Sequence, residues 1–225
     1  MGPGGTERSA QNCAIAFHEH GHEVAVLAYQ GGGVRAETLQ AAGIPVFVGG
    51  TTEQELHEAT NHACAWRPEI IHLHTTGRQT PVESAILRHV KVAMSRRIPV
   101  IATKHFAWAD RSNDRGLVDV HMQLSRWCMW KWRQWSRGLQ PQPLGAVVPH
   151  MIQHDAFYPA SAAVAAEFRA EHAIPSDAFV FGRVGQPIAA KWSQVCFQAF
   201  ASIASSDPRI WFLVVGAPEE YRRII

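Results

Sequence analysis

Short apolar runs, most of them rich in valine and isoleucine, recur along the chain with longer stretches of helical character between them. The runs lie at 22–28, 44–48, 69–74, 98–103, 144–148, 179–184 and 211–216. Most of them lack strict alternation of apolar and polar residues, which is typical of parallel strands buried on both faces. The stretches 6–20, 35–42, 53–66 and 81–96 are long and polar enough to form covering helices. This order predicts an α/β fold built on an open, doubly wound parallel sheet.

Four residues mark predicted helix boundaries. Thr6 and Thr52 are predicted N-caps, because a threonine hydroxyl accepts a hydrogen bond from the free amides of a helix start. Gly21 and Gly43 are predicted to end the first two helices, because glycine readily adopts the left-handed backbone that follows a helix.

A second series of elements begins near Pro149. The range 149–160 has little periodicity and is predicted to be a linker, and the range 161–225 reads as helix, strand, helix, strand and the start of a helix. Because an independent sheet usually needs three or more strands, this range is predicted to open a domain whose remainder is missing. Residues 1–148 are predicted to form the first domain without its first strand, since only MGPGG precedes the first helix. We therefore expect a chain truncated at both ends.

Charge and cysteine content exclude several classes of protein. The chain has 225 residues with 21 Lys and Arg against 19 Asp and Glu, which argues against a surface dedicated to nucleic acid. No apolar run approaches the ~18 residues that cross a membrane, and we find no signal peptide. The cysteines are Cys13, Cys64, Cys128 and Cys196. None has the spacing of metal ligands, so no metal site is predicted, and reduced thiols fit a cytoplasmic protein.

Glycines and histidines are the first candidates for ligand binding. Gly2, Gly4 and Gly5 precede or open the first helix, where free amides and the helix dipole favour an anion such as phosphate. The alternative is a flexible chain start. The segment HEHGH, 18–22, matches a zinc-protease pattern, but Gly21 and the following strand would end the helix near His20, so the two imidazoles would not converge.

Three further histidines fall at predicted strand ends. His72 and His74 share one face of a strand, and His105 follows the next strand along the chain. The carboxyl ends of parallel strands are where α/β sheets bind ligands. Ligand binding and local hydrogen bonding are both open for His74, whereas local hydrogen bonding fits His72 better.

Two cationic segments complete the candidates. Arg183 follows a strand and Lys191 starts the predicted helix 191–205, so the pair could hold a diphosphate or simply be solvated. The segment 126–137 interleaves four tryptophans with arginine and lysine: Trp127, Trp130, Trp132 and Trp135. These rings are compatible with an inter-domain core, with a membrane surface or acyl chain, or, less well given the balanced charge, with single-stranded nucleic acid.

Taken in order, these segments resemble the GT-B-type retaining glycosyltransferases of family 4. The resemblance runs along essentially the whole chain and is carried by GGTER, HGHEVAVLA, AAGIPVFV, PEIIHLHTTG, PVIATKH, VVPHMIQHDAFYP, FGRVGQPIAAKW and FLVVGAPEEYR. It implies two Rossmann-like domains facing across a cleft. It also implies transfer of a hexosyl-type sugar from a nucleotide-sugar donor to an acceptor, without a required metal ion and with no cofactor beyond the donor substrate. The acceptor would be a sugar, a lipid-linked sugar or a small molecule, in the synthesis of a glycan, glycolipid or cell envelope.

The resemblance also implies roles for individual residues. Gly4 and Gly5 would lie beside the donor diphosphate or the acceptor, with His74 nearby. His105 would be the catalytic histidine near the transferred sugar. Arg183 and Lys191 would neutralise the leaving diphosphate, although they are further apart than in many members of the family.

The chain departs from the family pattern in two further ways. It has PHMIQ, 149–153, where many members have P-N-G-I-D. The paired glutamates that grip the donor are expected beyond Ile225. The alternative function is a non-catalytic relative that binds nucleotide or carbohydrate. Contact with the inner face of the membrane is compatible with either function.

Overall fold

A computed structural model describes residues 1–94, 98–108, 115–139, 142–152 and 157–222. The chain divides into two compact units, residues 1–154 and 155–225. Each unit is built from helices that alternate with parallel strands.

The first unit contains five helices and six strands among its described residues. The helices are α1 (Gly5–Glu19), α2 (Val34–Ala41), α3 (Glu53–Ala65), α4 (Pro81–Ala93) and α5 (Arg126–Ser136). The strands are β1 (Val26–Ala28), β2 (Val46–Val48), β3 (Ile71–Thr75), β4 (Val100–Lys104), β5 (Val120–Gln123) and β6 (Leu144–Val147). A 3₁₀ turn at Arg115–Leu117 precedes β5.

All strand pairs in the first unit are parallel among the described residues. β1 pairs with β2, and β3, β4, β5 and β6 form a four-stranded sheet in that order. In the register of β3 and β4, His74 lies opposite Thr103. Parallel strands joined by helices make this an α/β, Rossmann-like fold, as the sequence predicts.

Two apolar clusters stabilise the first unit. Leu87 of α4 packs with Val100 and Ala102 of β4, and the three side chains are almost completely buried. Leu39 of α2 packs with Ala14 of α1 and with other apolar residues. The second cluster holds α1 and α2 together, which fixes the position of the helix that carries the glycine turn.

The second unit is smaller. It contains α6 (Ala162–Glu171), β7 (Phe179–Val184), α7 (Gln194–Ala204), β8 (Ile210–Val215) and α8 (Glu219–Arg222). The two strands are parallel, with Arg183 opposite Val214. Trp192, Phe197 and Ala217 form its buried cluster. This unit therefore has an apolar core of its own.

The predicted helix ends are confirmed at three positions and wrong at one. Thr52 forms a reciprocal capping box with Glu55 at the start of α3. Gly21 and Gly43 have φ angles of +84° and +79°, as helix-ending glycines do. Thr6, however, is not an N-cap: Gly4 occupies that position and makes no side-chain cap bond.

The sequence prediction also differs from the structure at two segments. β5 was not predicted, because His121 and Gln123 are buried polar residues that interrupt its apolar pattern. The helix predicted to start at Lys191 starts at Gln194 instead, and Lys191 ends a 3₁₀ turn. Across the part of the chain that the structure describes, no helix is both long and apolar enough to span a bilayer.

Candidate functional site

Four imidazoles form a row that begins on β3 and continues along the segments after β4 and β6. His72 and His74 lie two residues apart on β3, His105 directly follows β4, and His150 follows β6. Their ring centroids are separated by 4.3 Å from His72 to His74, 5.6 Å from His74 to His105 and 5.0 Å from His105 to His150. We call these residues the histidine row.

Hydrogen bonds fix both ends of the histidine row. Nε2 of His72 lies 2.7 Å from Oγ1 of Thr103, and Nδ1 of His150 lies 2.9 Å from Oγ of Ser9. In the middle, Nδ1 of His74 lies 3.4 Å from Nε2 of His105. The row is thus anchored to β4 at one end and to α1 at the other.

Burial and mutual repulsion keep His72, His74 and His105 neutral. Desolvation, reinforced by the neighbouring histidines, lowers the pKa of His74 to about 3. Desolvation and repulsion from His150 and His72 lower the pKa of His105 to about 4. Burial also lowers the pKa of His72. At neutral pH these three rings therefore carry lone pairs rather than positive charge, and they can accept hydrogen bonds or bind a metal ion.

The loops after β3 and β4 touch beside the histidine row. The His105 amide donates to the carbonyl oxygen of Thr75 at 3.0 Å, and the Phe106 amide donates to that of Thr76 at 3.1 Å. Gly77 has a φ of +123°, and a Cβ there would lie 2.5 Å from the carbonyl oxygen of Phe106. Only glycine fits this approach, which holds His105 next to His74.

The glycine turn before α1 belongs to the same unit. Gly4 is the N-cap of α1 and Gly5 is its exposed first residue, where an added Cβ would meet nothing within 4 Å. One turn later, Ser9 contacts His150 of the histidine row. The structure therefore links the predicted residues Gly4 and Gly5 to His105 through α1.

Arg35 stabilises the glycine turn from α2. Its guanidinium donates to the carbonyl oxygens of Gly2 and Pro3, each at 2.9 Å, and to Oε1 of Gln11 at 3.0 Å. A loop held in this way keeps its amides in place for a ligand, because less conformational entropy is lost on binding. Sequence reasoning did not identify this arginine.

A buried acid near β3 was also missed. Oε1 of Glu83 accepts from the Tyr29 hydroxyl at 3.0 Å, and Oε2 accepts from the Thr80 amide at 2.6 Å. Burial, and then the carboxylate of Glu83, raise the pKa of Tyr29. The signal that could have revealed this group is the capping-box spacing of Thr80 and Glu83.

Arg183 and Lys191 lie close together in the second unit. The Arg183 guanidinium is 5.0 Å from the ring of buried Trp192 and donates to the main-chain oxygen of Lys191 at 2.5 Å. Nε of Arg183 is buried and has no hydrogen-bond partner among the described residues. The Lys191 side chain is exposed. Arg183 lies within β7 rather than after it, which corrects the sequence prediction, and Lys191 ends the 3₁₀ turn at Ala189–Lys191.

α5 places its tryptophans on different faces. Trp127 and Trp130 are 58% and 57% exposed, whereas Trp132 is 8% exposed. Trp132 packs against His121, with ring centroids 5.5 Å apart, and against Gly145, where a Cβ would meet its ring. Trp132 therefore cannot contact a membrane surface, which corrects the sequence hypothesis for this residue.

The fold and the polar strand ends define an α/β protein of the class that binds ligands where its parallel strands end. A family model described as Glycosyltransferase Family 4 matches residues 3–178. Because the match covers well over half of the chain, the chain belongs to this family, and the resemblance found in the sequence is confirmed. The match includes the histidine row and ends before Arg183. A search of curated proteins found no match.

Proposed function

We propose that this chain belongs to an enzyme that transfers a hexosyl-type sugar from a nucleotide-sugar donor to an acceptor with retention of configuration. The proposal rests on one observation above all: in a chain of glycosyltransferase family 4, a neutral His105 is linked through α1 to the glycine turn. The nucleotide sugar is the substrate, and no further cofactor is proposed.

His105 is the proposed catalytic residue. A neutral imidazole accepts a hydrogen bond from a sugar hydroxyl or donates one to it, and it adds no charge that would compete with the cations at the diphosphate. The His105 ring contacts His74 and stacks on His150, and its main-chain amide bonds to Thr75, so ring and backbone are both restrained. His74 is therefore proposed to position His105 and to border the bound sugar.

Gly4 and Gly5 are proposed to lie against the donor diphosphate or the acceptor. The amides at the start of α1 are not used within the helix, and the helix dipole favours negative charge there. Gly5 is clear of other atoms, so a ligand can approach its amide closely, whereas the Glu7 carboxylate lies beside Gly4. The 15-residue length of α1 gives the helix start its full partial charge.

Arg183 and Lys191 are proposed to stabilise the leaving nucleoside diphosphate. Breaking the bond between the sugar and the diphosphate builds negative charge on oxygen, and fixed cations lower the free energy of that transition state. The planar guanidinium of Arg183 over the Trp192 ring is suited to bidentate contact with phosphate oxygens.

The proposed setting is the synthesis of a glycan, glycolipid or cell envelope in the cytoplasm. Exposed Trp127 and Trp130 beside Arg126 and Arg133 favour a peripheral contact with an anionic membrane surface. Such a contact would bring the protein close to a lipid-linked acceptor.

The proposed function is tested with a panel of nucleotide sugars. Release of nucleoside diphosphate together with a glycosylated acceptor supports it, and the anomeric configuration of the product measures retention. We expect His105→Gln to lower kcat by about a hundredfold or more. The matched control His89→Gln, a histidine bonded to Asn61 outside the histidine row, should leave turnover unchanged.

Donor binding, measured by calorimetry, separates the two candidate functions. Binding without turnover for any donor and acceptor would favour the non-catalytic relative. Neither binding nor turnover across the panel would overturn both proposals.

A further inference from the structure

We propose that Cys13, His72 and His74 form a binding site for a borderline-soft divalent metal ion, best matched by Zn²⁺, between α1 and β3. The sulfur of Cys13 and one nitrogen of each imidazole all lie within 4.8 Å of one another. This site goes beyond the proposed sugar transfer, which requires no metal ion.

The fold brings the three ligands together from separate elements. His72 and His74 lie on one face of β3 with ring centroids 4.3 Å apart. α1 packs across this strand, with the ring of Phe17 6.4 Å from that of His72, and it directs buried Cys13 toward the two imidazoles. Because Cys13 is distant in sequence from both histidines, ligand spacing could not reveal the site.

The donor set selects the class of ion. A thiolate with two imidazoles suits Zn²⁺, whereas Mg²⁺ and Ca²⁺ prefer oxygen ligands. Zinc bonds of about 2.3 Å to sulfur and about 2.0 Å to nitrogen place tetrahedral donors roughly 3.5 Å apart. Since the donors lie within 4.8 Å of one another, they need to close by at most about 1.3 Å, a shift on the scale of small side-chain rotations. Three protein ligands leave the fourth position to water.

Groups around the site support the ligands. Nε2 of His72 lies 2.7 Å from Oγ1 of Thr103, and Nδ1 of His74 lies 3.4 Å from Nε2 of His105. Metal-binding histidines typically make one such bond with the ring nitrogen that does not face the ion. On binding, the sulfur of Cys13 bonds to the ion and its proton passes to solvent.

Cys13 lies on α1 and both histidines lie on β3, within reach of one ion. The ion would tie α1 to β3 and so fix the helix that carries the glycine turn.

The test uses the full chain, stripped with EDTA and then titrated with Zn²⁺ against a chromophoric chelator and, separately, with Co²⁺. We expect one ion per chain and a Co²⁺ spectrum with strong tetrahedral d–d bands and a thiolate charge-transfer band. Cys13→Ser should abolish the charge-transfer band, and His74→Gln should weaken Zn²⁺ binding by more than about tenfold. Circular dichroism in EDTA verifies that each variant is folded. If Cys13→Ser does not fold, His72→Gln replaces it, with the same expected loss of Zn²⁺ affinity.

Two control variants distinguish this site from others. Cys196→Ser, in the second unit, should change neither the spectrum nor the affinity. His89→Gln removes one member of the His57–His89 pair, whose ring centroids are 4.8 Å apart, and should also have no effect. Loss of binding in His89→Gln but not in His74→Gln would overturn the proposal, as would the absence of a thiolate band in the wild-type protein.

Discussion

His74 lies between two other imidazoles, with ring centroids 4.3 Å from that of His72 and 5.6 Å from that of His105. At the scale of single residues, this arrangement makes protonation of any one ring unfavourable, because the charged form loses hydration and faces its neighbours. The folded protein therefore resists the uptake of protons that the unfolded chain accepts.

The first prediction concerns the pH dependence of stability in EDTA. The pKa of an unfolded histidine is about 6.5, whereas those of folded His74 and His105 are about 3 and about 4. Because the pKa values are lower in the folded protein, the two neutral rings contribute stability that is fully present above about pH 6.5. This contribution is lost as the pH falls toward the pKa values of the folded state. We expect the free energy of unfolding to fall steadily between pH 6.5 and 4.5, as measured by urea denaturation.

His105→Gln isolates the contribution of one ring. Over the same pH interval, the free energy of unfolding of this variant should fall by about 1 kcal/mol less than that of the wild-type protein, after allowance for solvent screening. His72, His74 and His150 still face the substituted position, so part of the pH dependence should remain. Equal slopes for the two proteins would contradict the assigned neutral state of His105.

At this scale the sequence reveals some site residues and hides others. His74 and His105 are predictable, because a strand's periodicity and its carboxyl end place them at the same edge of the sheet. Ser9 and Cys13 are not, because they lie on α1 and meet the histidines only where this helix packs on the sheet. His150 is not, because it stacks on His105 only once β6 has joined the sheet. Such long-range packing leaves no local pattern in the sequence.

At the scale of whole elements, α1 and α3 begin in different ways. α3 starts with a capping box in which the Thr52 hydroxyl accepts from the Glu55 amide at 3.2 Å and Oε2 of Glu55 accepts from the Thr52 amide at 3.0 Å. α1 starts at Gly4 with no side-chain cap. The N-cap position of α1 thus supplies no side chain to the first amides, and the Glu7 carboxylate lies beside Gly4.

The second prediction compares two threonines at these helix starts. Thr52→Ala removes a side-chain cap and should lower the free energy of unfolding by about 1 kcal/mol. Thr6→Ala, the matched substitution in α1, should change it by less than about 0.5 kcal/mol, because Thr6 caps nothing. Urea denaturation of both variants measures the difference, and equal losses would show that the capping box adds no stability.

The third prediction concerns the outer face of α5. Trp127 and Trp130 are exposed, and Lys131 lies 4.6 Å from the Trp127 ring centroid. We expect co-sedimentation with vesicles that contain anionic lipid, and we expect Trp127→Ser with Trp130→Ser to reduce the bound fraction severalfold. Loss of two interfacial aromatic rings and their buried area accounts for the change.

Two controls define the membrane experiment. Trp108→Ser removes a 49% exposed tryptophan outside α5 and should leave vesicle binding unchanged. Neutral vesicles should bind less than anionic ones, because Arg126 and Arg133 contribute charge attraction. If the wild-type protein never sediments with anionic vesicles, the proposed membrane contact is wrong.

Element order was easier to predict from the sequence than element pairing. The valine- and isoleucine-rich runs identify most strands because those residues occupy buried, two-sided positions. β5 escaped prediction since His121 and Gln123 are buried in it, and a pattern of apolar residues cannot anticipate buried polar ones. The pairing order β3, β4, β5 and β6 depends on contacts across the sheet, which local composition does not encode.

At the scale of the whole molecule, a metal ion would act on the folding equilibrium. An ion that binds the folded chain more tightly than the unfolded chain adds to the free energy of unfolding by mass action. The proposed ligands come from α1 and β3, so the ion would connect two elements that already meet through the rings of Phe17 and His72.

The fourth prediction separates this ligand effect from ordinary packing. Zn²⁺ at about 100 times its Kd should raise the free energy of unfolding by about 2.7 kcal/mol, and EDTA should reverse the gain. Leu39→Ala should lower stability by about 2–5 kcal/mol with or without Zn²⁺, since Leu39 is fully buried in the cluster that contains Ala14. The gain in the free energy of unfolding on adding Zn²⁺ should persist in Leu39→Ala and disappear in Cys13→Ser. Urea denaturation and hydrogen exchange of α1 and β3 peptides measure both effects. A Zn²⁺-dependent gain of equal size in the wild-type protein, in Leu39→Ala and in Cys13→Ser would show that the ion binds elsewhere in the chain.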